Sequence, residues 1–193
     1  MGTDAEADVQ LQIGHVLFMD VVGYSKLLLD EQREVQQQLT KIVQNTEQVH
    51  VAEATGTLIR IPAGDGMALV FSNSPETPVR CAIEISKKLK EHPHLQLRMG
   101  IHSGPVNEVR DVNDRANVAG AGINIAQRLM DCGDAGHILL SQRIAEDLKH
   151  YREWQAQLHD LGECEVKHGV RVHLFNLCTG DLGNPELPEK LRH

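Results

Sequence analysis

The chain has 193 residues, 41% hydrophobic and 24% charged, enough for one globular domain with a sizeable core. A formal net charge of −8 excludes a nucleic-acid binder that works through a basic face, while a few local cations and a metal still suffice for an anionic nucleotide. No apolar run approaches ~18 residues, the acidic start MGTDAEADVQ is unlike a secretory signal, and Cys81, Cys132, Cys164 and Cys178 form no C-x-x-C pair. The composition therefore reads as a cytoplasmic protein with reduced cysteines, without a membrane span and without a zinc site.

In chain order, residues 1–10 read as a flexible leader. Residues 14–21 form a first strand, with Val16, Leu17 and Phe18 as an apolar run and Asp20 where the strand leaves the core. Gly23 allows a tight turn, and Ser25 is placed to cap a long helix over 25–54, whose apolar face carries Leu28, Val35, Leu39, Ile42 and Val49. Residues 57–61 and 67–71 read as an antiparallel hairpin around PAGDG, and a second helix runs over 75–90. Residues 95–102 alternate as a strand, and 105–118 read as a polar surface excursion. A helix over 119–130 follows, then a strand over 137–140 and a helix to about 150 capped by Ser141. Residues 161–166 and 170–177 close the domain as a hairpin through Lys167, and 180–193 form a tail. The order βαββαβ, then αβα and two strands, predicts an α+β fold. Its core is ferredoxin-like, a mostly antiparallel sheet with helices on one face, and a C-terminal αβ extension follows it.

Two acids stand out. Asp20 ends the first strand beside a glycine turn that aims backbone N–H groups at one point, and polyanions bind at such points. Asp65 lies in GlyAspGly at the hairpin tip, which a βαββ unit can bring next to the first strand. Two carboxylates that close repel unless a cation lies between them, and paired divalent ions serve phosphoryl chemistry. An AspGly turn is also an ordinary hairpin device. Asn124 and Arg128 share one face of the third helix, and Arg98 points away from its apolar neighbours Leu97 and Met99.

Four segments in order, VLFMDVVGYS, GDG before a strand, MGIHSGPV, and GAGINIAQR with DAGHILLS, resemble the catalytic domain of class III nucleotide cyclases, the adenylate and guanylate cyclase family. The resemblance spans about residues 16–177 and places the catalytic domain at 11–179. It implies the cyclase fold and a head-to-tail homodimer with shared active sites. Asp20 and Asp65, with the Val21 carbonyl, would hold two Mg²⁺ or Mn²⁺ ions. Backbone of Val22, Gly23, Tyr24 and Ser25 would cradle the triphosphate, with Arg98 and Lys167 contacting it. Asn124 and Arg128 would come from the partner protomer to orient the ribose and stabilise charge on the α-phosphate. The base-specifying positions depart from the purine enzymes: Ile61 stands where adenylate cyclases carry Lys, and Asn117 where they carry Asp or Thr. This pattern is similar to the stand-alone pyrimidine cyclases of bacterial anti-phage defence. It implies UTP as preferred substrate and cUMP as a messenger read by a separate effector protein. An adenylate cyclase with an atypical base pocket, and a degenerate domain that only binds nucleotide or dimerises, remain open.

Overall fold

A computed structural model describes residues 11–110 and 116–192; the side chains of 11, 108–110 and 116–118 fall outside that description. The predicted leader and residues 111–115 lie outside the described residues. The strands are β1 (Leu11–Val21), β2 (Leu58–Ala63), β3 (Gly66–Phe71), β4 (Leu97–Arg110), β5 (Ala116–Ala119), β6 (Ile138–Ser141), β7 (Leu158–Val166) and β8 (Val170–Leu177). The helices are α1 (Leu29–Gln44), α2 (Glu47–Ala54), α3 (Glu76–Leu89), α4 (Ala121–Asp131), α5 (Gln142–Leu148) and α6 (Arg152–Gln155).

The position of β1 follows from its sequence. Val16, Leu17, Phe18 and Met19 are all buried, and only a strand covered on both faces accommodates four such residues in a row. β1 accordingly lies inside the sheet, antiparallel to β3 on one side and to β4 on the other. The sheet order is β2-β3-β1-β4-β6-β8-β7, with β5 pairing β4. Its first four strands form the predicted ferredoxin-like unit, and β6 joins parallel to β4 to begin the extension.

The prediction of helices on one face is corrected. Leu17, Met19 and Val21 face a layer containing residues of α1, α2, α3 and α5, whereas Val16 and Phe18 face Ile123, Ala126 and Met130 of α4. The doubly buried run on β1 is the reason, since its second face needs its own apolar cover.

Other boundaries also differ. The predicted helix over 25–54 is a 3-10 turn over Tyr24–Lys26 followed by two helices. Ser25 lies inside that turn and does not cap α1. Thr46 breaks the run, because its side chain accepts the Val49 N–H and so starts α2 afresh. The predicted excursion at 105–118 is in part strand, since β4 runs on to Arg110 and β5 pairs back on it. α6 was not anticipated, and β7 starts at Leu158 with a bulge between Asp160 and Gly162. Ser141 does cap α5, accepting the Ile144 N–H at 3.4 Å. The predicted tail packs against the loop after α4: Asn184 donates to the Ala135 carbonyl at 2.9 Å, and the Glu189 N–H donates to Asp134 at 2.9 Å. Among the described residues no helix is long and apolar enough to cross a membrane.

Candidate active site

The site starts at the end of β1. Register places Asp20 between Gly66 of β3 and Arg98 of β4. Alternation puts Asp20 on the same sheet face as Val16 and Phe18, the face that α4 covers. Asp20 is only 5% exposed. Its charge is met by Arg98, whose Nε donates to Oδ1 at 2.9 Å and whose second guanidinium nitrogen donates to Oδ2 at 2.5 Å. This fork is the strong, planar form of an arginine–carboxylate pair.

Gly66 makes the close approach of β3 possible. A Cβ there would lie 1.9 Å from the Met19 carbonyl oxygen and 2.7 Å from the Asp20 Cα. The neighbouring Asp65 carbonyl accepts the Val21 N–H at 2.9 Å, which ties the second acid to the strand that carries the first. Gly23, at φ +76°, then turns the chain in a left-handed conformation that costs glycine little. Asp20, Asp65, Arg98 and residues 21–25 line one cleft of about 460 Å³, whose far wall is Gly133–Ala135. In this conformation the Val22 N–H is taken by the Gln96 carbonyl at 2.9 Å.

A third carboxylate reaches the same arginine. Asp131, the last residue of α4, has Oδ1 3.5 Å from Arg98. The hydrogen-bonded Asp20 holds the guanidinium above its ordinary pKa despite partial burial, and the charges of Asp131 and Asp65 act in the same direction. One guanidinium thus answers the charges of three carboxylates, and oxygen donors of this kind suit a hard divalent cation. Among the described residues no three acidic, histidine or cysteine side chains converge to chelate an ion unaided. The donor set fits Mg²⁺ or Mn²⁺ held by two carboxylates together with phosphate oxygens, the usual manner for Mg²⁺.

The other predicted residues lie elsewhere. Arg128 and Lys167 line a separate cleft of about 290 Å³ between α4 and the β7–β8 hairpin, together with Asp131, Cys132, Cys164 and Lys190. Asn124 is exposed, one turn before Arg128 on α4. None of these three lines the Asp20–Asp65 cleft; Asp131, which lines the second cleft, reaches the first only through its contact with Arg98. Ile61 is half-buried on β2 against the cluster of Val16, Phe18 and Ala68. The backbone of Asn117 lies in β5 opposite Val109; its side chain is outside the described residues. Sequence reasoning missed Asp131, the Gly133–Ala135 wall and Lys190. Asp131 was within reach, because it follows Asn124 by seven residues and Arg128 by three and so shares their helix face.

The family profile of the adenylate and guanylate cyclase catalytic domain matches residues 10–178. The chain belongs to this family. A curated relative named adenylate cyclase, from Podospora anserina, is 35% identical over 101 residues, covering 50% of this chain and 5% of that protein. A putative adenylate cyclase 3 from Rhizobium meliloti (strain 1021) is 24% identical over an alignment of 204 positions, covering 96% of the chain and 33% of that protein. The cyclase domain therefore spans a third or less of the length of either relative. Among solved structures, the adenylyl cyclase CyaB from P. aeruginosa superposes with a TM-score of 0.71 at 21% identity, over 91% of this chain and all of that one. The guanylate cyclase domain of RhGC from Catenaria anguillulae, in complex with GTP, does so with a TM-score of 0.70 at 20% identity, over 88% and 98%. Both share the α+β fold of this cyclase domain.

Proposed function

We propose that the domain converts a nucleoside triphosphate to its 3′,5′-cyclic monophosphate and pyrophosphate, at two sites shared between two copies of the chain. The observation that carries this reading is the gathering of Asp20, Asp65 and Arg98 against the Gly23 turn, with Arg128 and Lys167 on a different cleft of the same chain. A head-to-tail dimer brings one half-site of each type together.

The amides of Gly23, Tyr24 and Ser25 hold the triphosphate. Arg98, beside the turn, would contact a phosphate oxygen. Asp20 and Asp65, with the Val21 carbonyl, would hold two divalent cations, Mg²⁺ or Mn²⁺, which when bound acidify the ribose 3′-hydroxyl and neutralise the departing pyrophosphate. The partner's Asn124 orients the ribose for in-line attack on the α-phosphate. The partner's Arg128 meets the charge that develops there, and the partner's Lys167 steadies the phosphates.

UTP is the proposed substrate and cUMP the product, in antiviral signalling through a separate effector. Ile61 supports this, since an apolar side chain packed against Phe18 and Ala68 offers no hydrogen bond to adenine. The names of the two curated relatives favour a second reading, cyclisation of ATP in an atypical base pocket, and an amide at Asn117 serves either base. Incubation with ATP, GTP, CTP and UTP and Mn²⁺, followed by mass identification of the product, separates these readings. cUMP is expected; cAMP alone replaces the base assignment, and no cyclic product from any of the four sinks the cyclase reading. Sharing of the site is tested by mixing inactive Asp65→Ala with inactive Arg128→Ala. Partial recovery is expected, because a mixed dimer assembles one wild-type site; no recovery despite subunit exchange places the site within one chain.

A further inference from the structure

The four cysteines are reduced in the structure, but two of them are neighbours. Cys132 caps the C-terminus of α4, and its Sγ lies 4.0 Å from that of Cys164 near the end of β7. They are 32 residues apart and belong to different layers, so only the fold brings them together. Leu129, Leu139 and Leu174 surround the pair, and both thiols border the Arg128–Lys167 cleft, which gives a small reagent access.

We propose that Cys132 and Cys164 are a reversible dithiol–disulfide pair, closed by a peroxide, that fixes the spacing between α4 and the β7–β8 hairpin. Cys164 is the more accessible of the two and reacts first. Its sulfur takes an oxygen from hydrogen peroxide, giving the sulfenic acid and one water. The Cys132 sulfur then attacks the Cys164 sulfur, the S–S bond forms, and the hydroxyl leaves with the Cys132 proton as a second water. Two thiols are oxidised by two electrons, and one peroxide is reduced. Burial, with the neighbouring thiol adding to it, pushes Cys132 up to about 12, so it is the resolving partner and not the initial target.

A disulfide has its sulfurs about 2.05 Å apart, so closing the bond draws β7 and the end of α4 together by up to about 2 Å. The bond would sit one turn from Arg128 and three residues from Lys167, and it narrows the cleft that both line. Resting on the reading that this cleft is the half-site for a triphosphate, oxidation lowers turnover and a dithiol restores it.

The experiment treats the reduced protein with a stoichiometric amount of hydrogen peroxide and maps the unreduced digest by mass spectrometry. The expected result is a peptide linking Cys132 to Cys164, two hydrogens lighter than the separate peptides, with free thiols falling from four to two. C164S is expected to keep its three remaining thiols and form no linked peptide. Four surviving thiols, or Cys164 carried on to the sulfinic acid without a link, overturn the pair. In parallel, NTP turnover is expected to fall several-fold on oxidation, to return with dithiothreitol, and to be insensitive to peroxide in C164S. Unchanged turnover in protein shown to be linked overturns the gating. If no form turns over any NTP, the cyclase reading fails while the linked peptide still decides the pair.

Discussion

Replacing Arg98 by methionine isolates the charge balance at the end of β1. Asp20 is 5% exposed, and both of its carboxylate oxygens take their hydrogen bonds from this one guanidinium. Methionine keeps most of the aliphatic bulk and removes the charge. Asp65 and Asp131, whose charges also act on this guanidinium, are themselves acidic and offer no replacement. Breaking a buried pair by deleting one partner costs about 3–5 kcal/mol, most of it the penalty of the stranded charge. For a protein of this size that is a fall in Tm of about 6–20 °C. Asp20→Asn leaves Arg98 a quarter exposed and still within 3.5 Å of Asp131, so its loss is smaller. Thermal unfolding by circular dichroism at pH 7.5, with and without Mn²⁺, is the assay. Arg98→Met is expected to melt well below Asp20→Asn without metal, and Mn²⁺ is expected to raise the Tm of Arg98→Met more than that of the wild type. A drop of less than about 1 kcal/mol, the range of a surface ion pair, would refute the reasoning, as would equal Mn²⁺ shifts in both proteins.

Gly66→Ala drives a Cβ to 1.9 Å from the Met19 carbonyl, so β3 must leave β1 and carry Asp65 with it. We expect a loss of at least about 1–3 kcal/mol together with turnover, whereas Gly64→Ala, with nothing within 4 Å of its Cβ, stays within about 0.5 kcal/mol; matching denaturation curves would contradict the packing argument. Burial, helped by Arg143, pushes His102 down to about 4 from 6.5 in the unfolded chain. Between those values the unfolded state binds more protons, so stability is full above about pH 6.5 and is lost as pH falls toward 4. From pH 7.5 to 5.5 the loss is about 1 kcal/mol by linkage, or a few degrees in Tm, and burial of His15 acts in the same direction. His102→Gln should flatten this slope; an unchanged slope removes His102 as its source.

Much of this architecture was legible because the signals were local. The run from Val16 to Met19, the hairpin at GlyAspGly and the Ser141 cap each specify their own conformation within a few residues. The break before Thr46 was hidden because no glycine or proline marks it and the apolar spacing runs on through Val49. The cover of α4 on the second sheet face was implicit in the doubly apolar β1 but needed the topology to be seen. Asp20 and Asp65 were legible as acids beside turns, and register then made them neighbours. That Arg98 grips Asp20 was not, because the contact depends on strands 78 residues apart lying side by side. Lys190 reached the second cleft through tail contacts that no periodicity announces.

The central place of β1 also sets the order of events on the ribosome. β1 emerges before both of its neighbours, β3 and β4, and the 78 residues from Asp20 to Arg98 take roughly 4–16 s to synthesise. Until β3 is made both edges of this hydrophobic strand are unpaired, and until β4 follows one edge stays open and Asp20 has yet to meet its arginine. The strand that organises the finished sheet is thus the segment most exposed to mispairing with another chain during translation, and the most natural grip for a chaperone that binds extended apolar peptide.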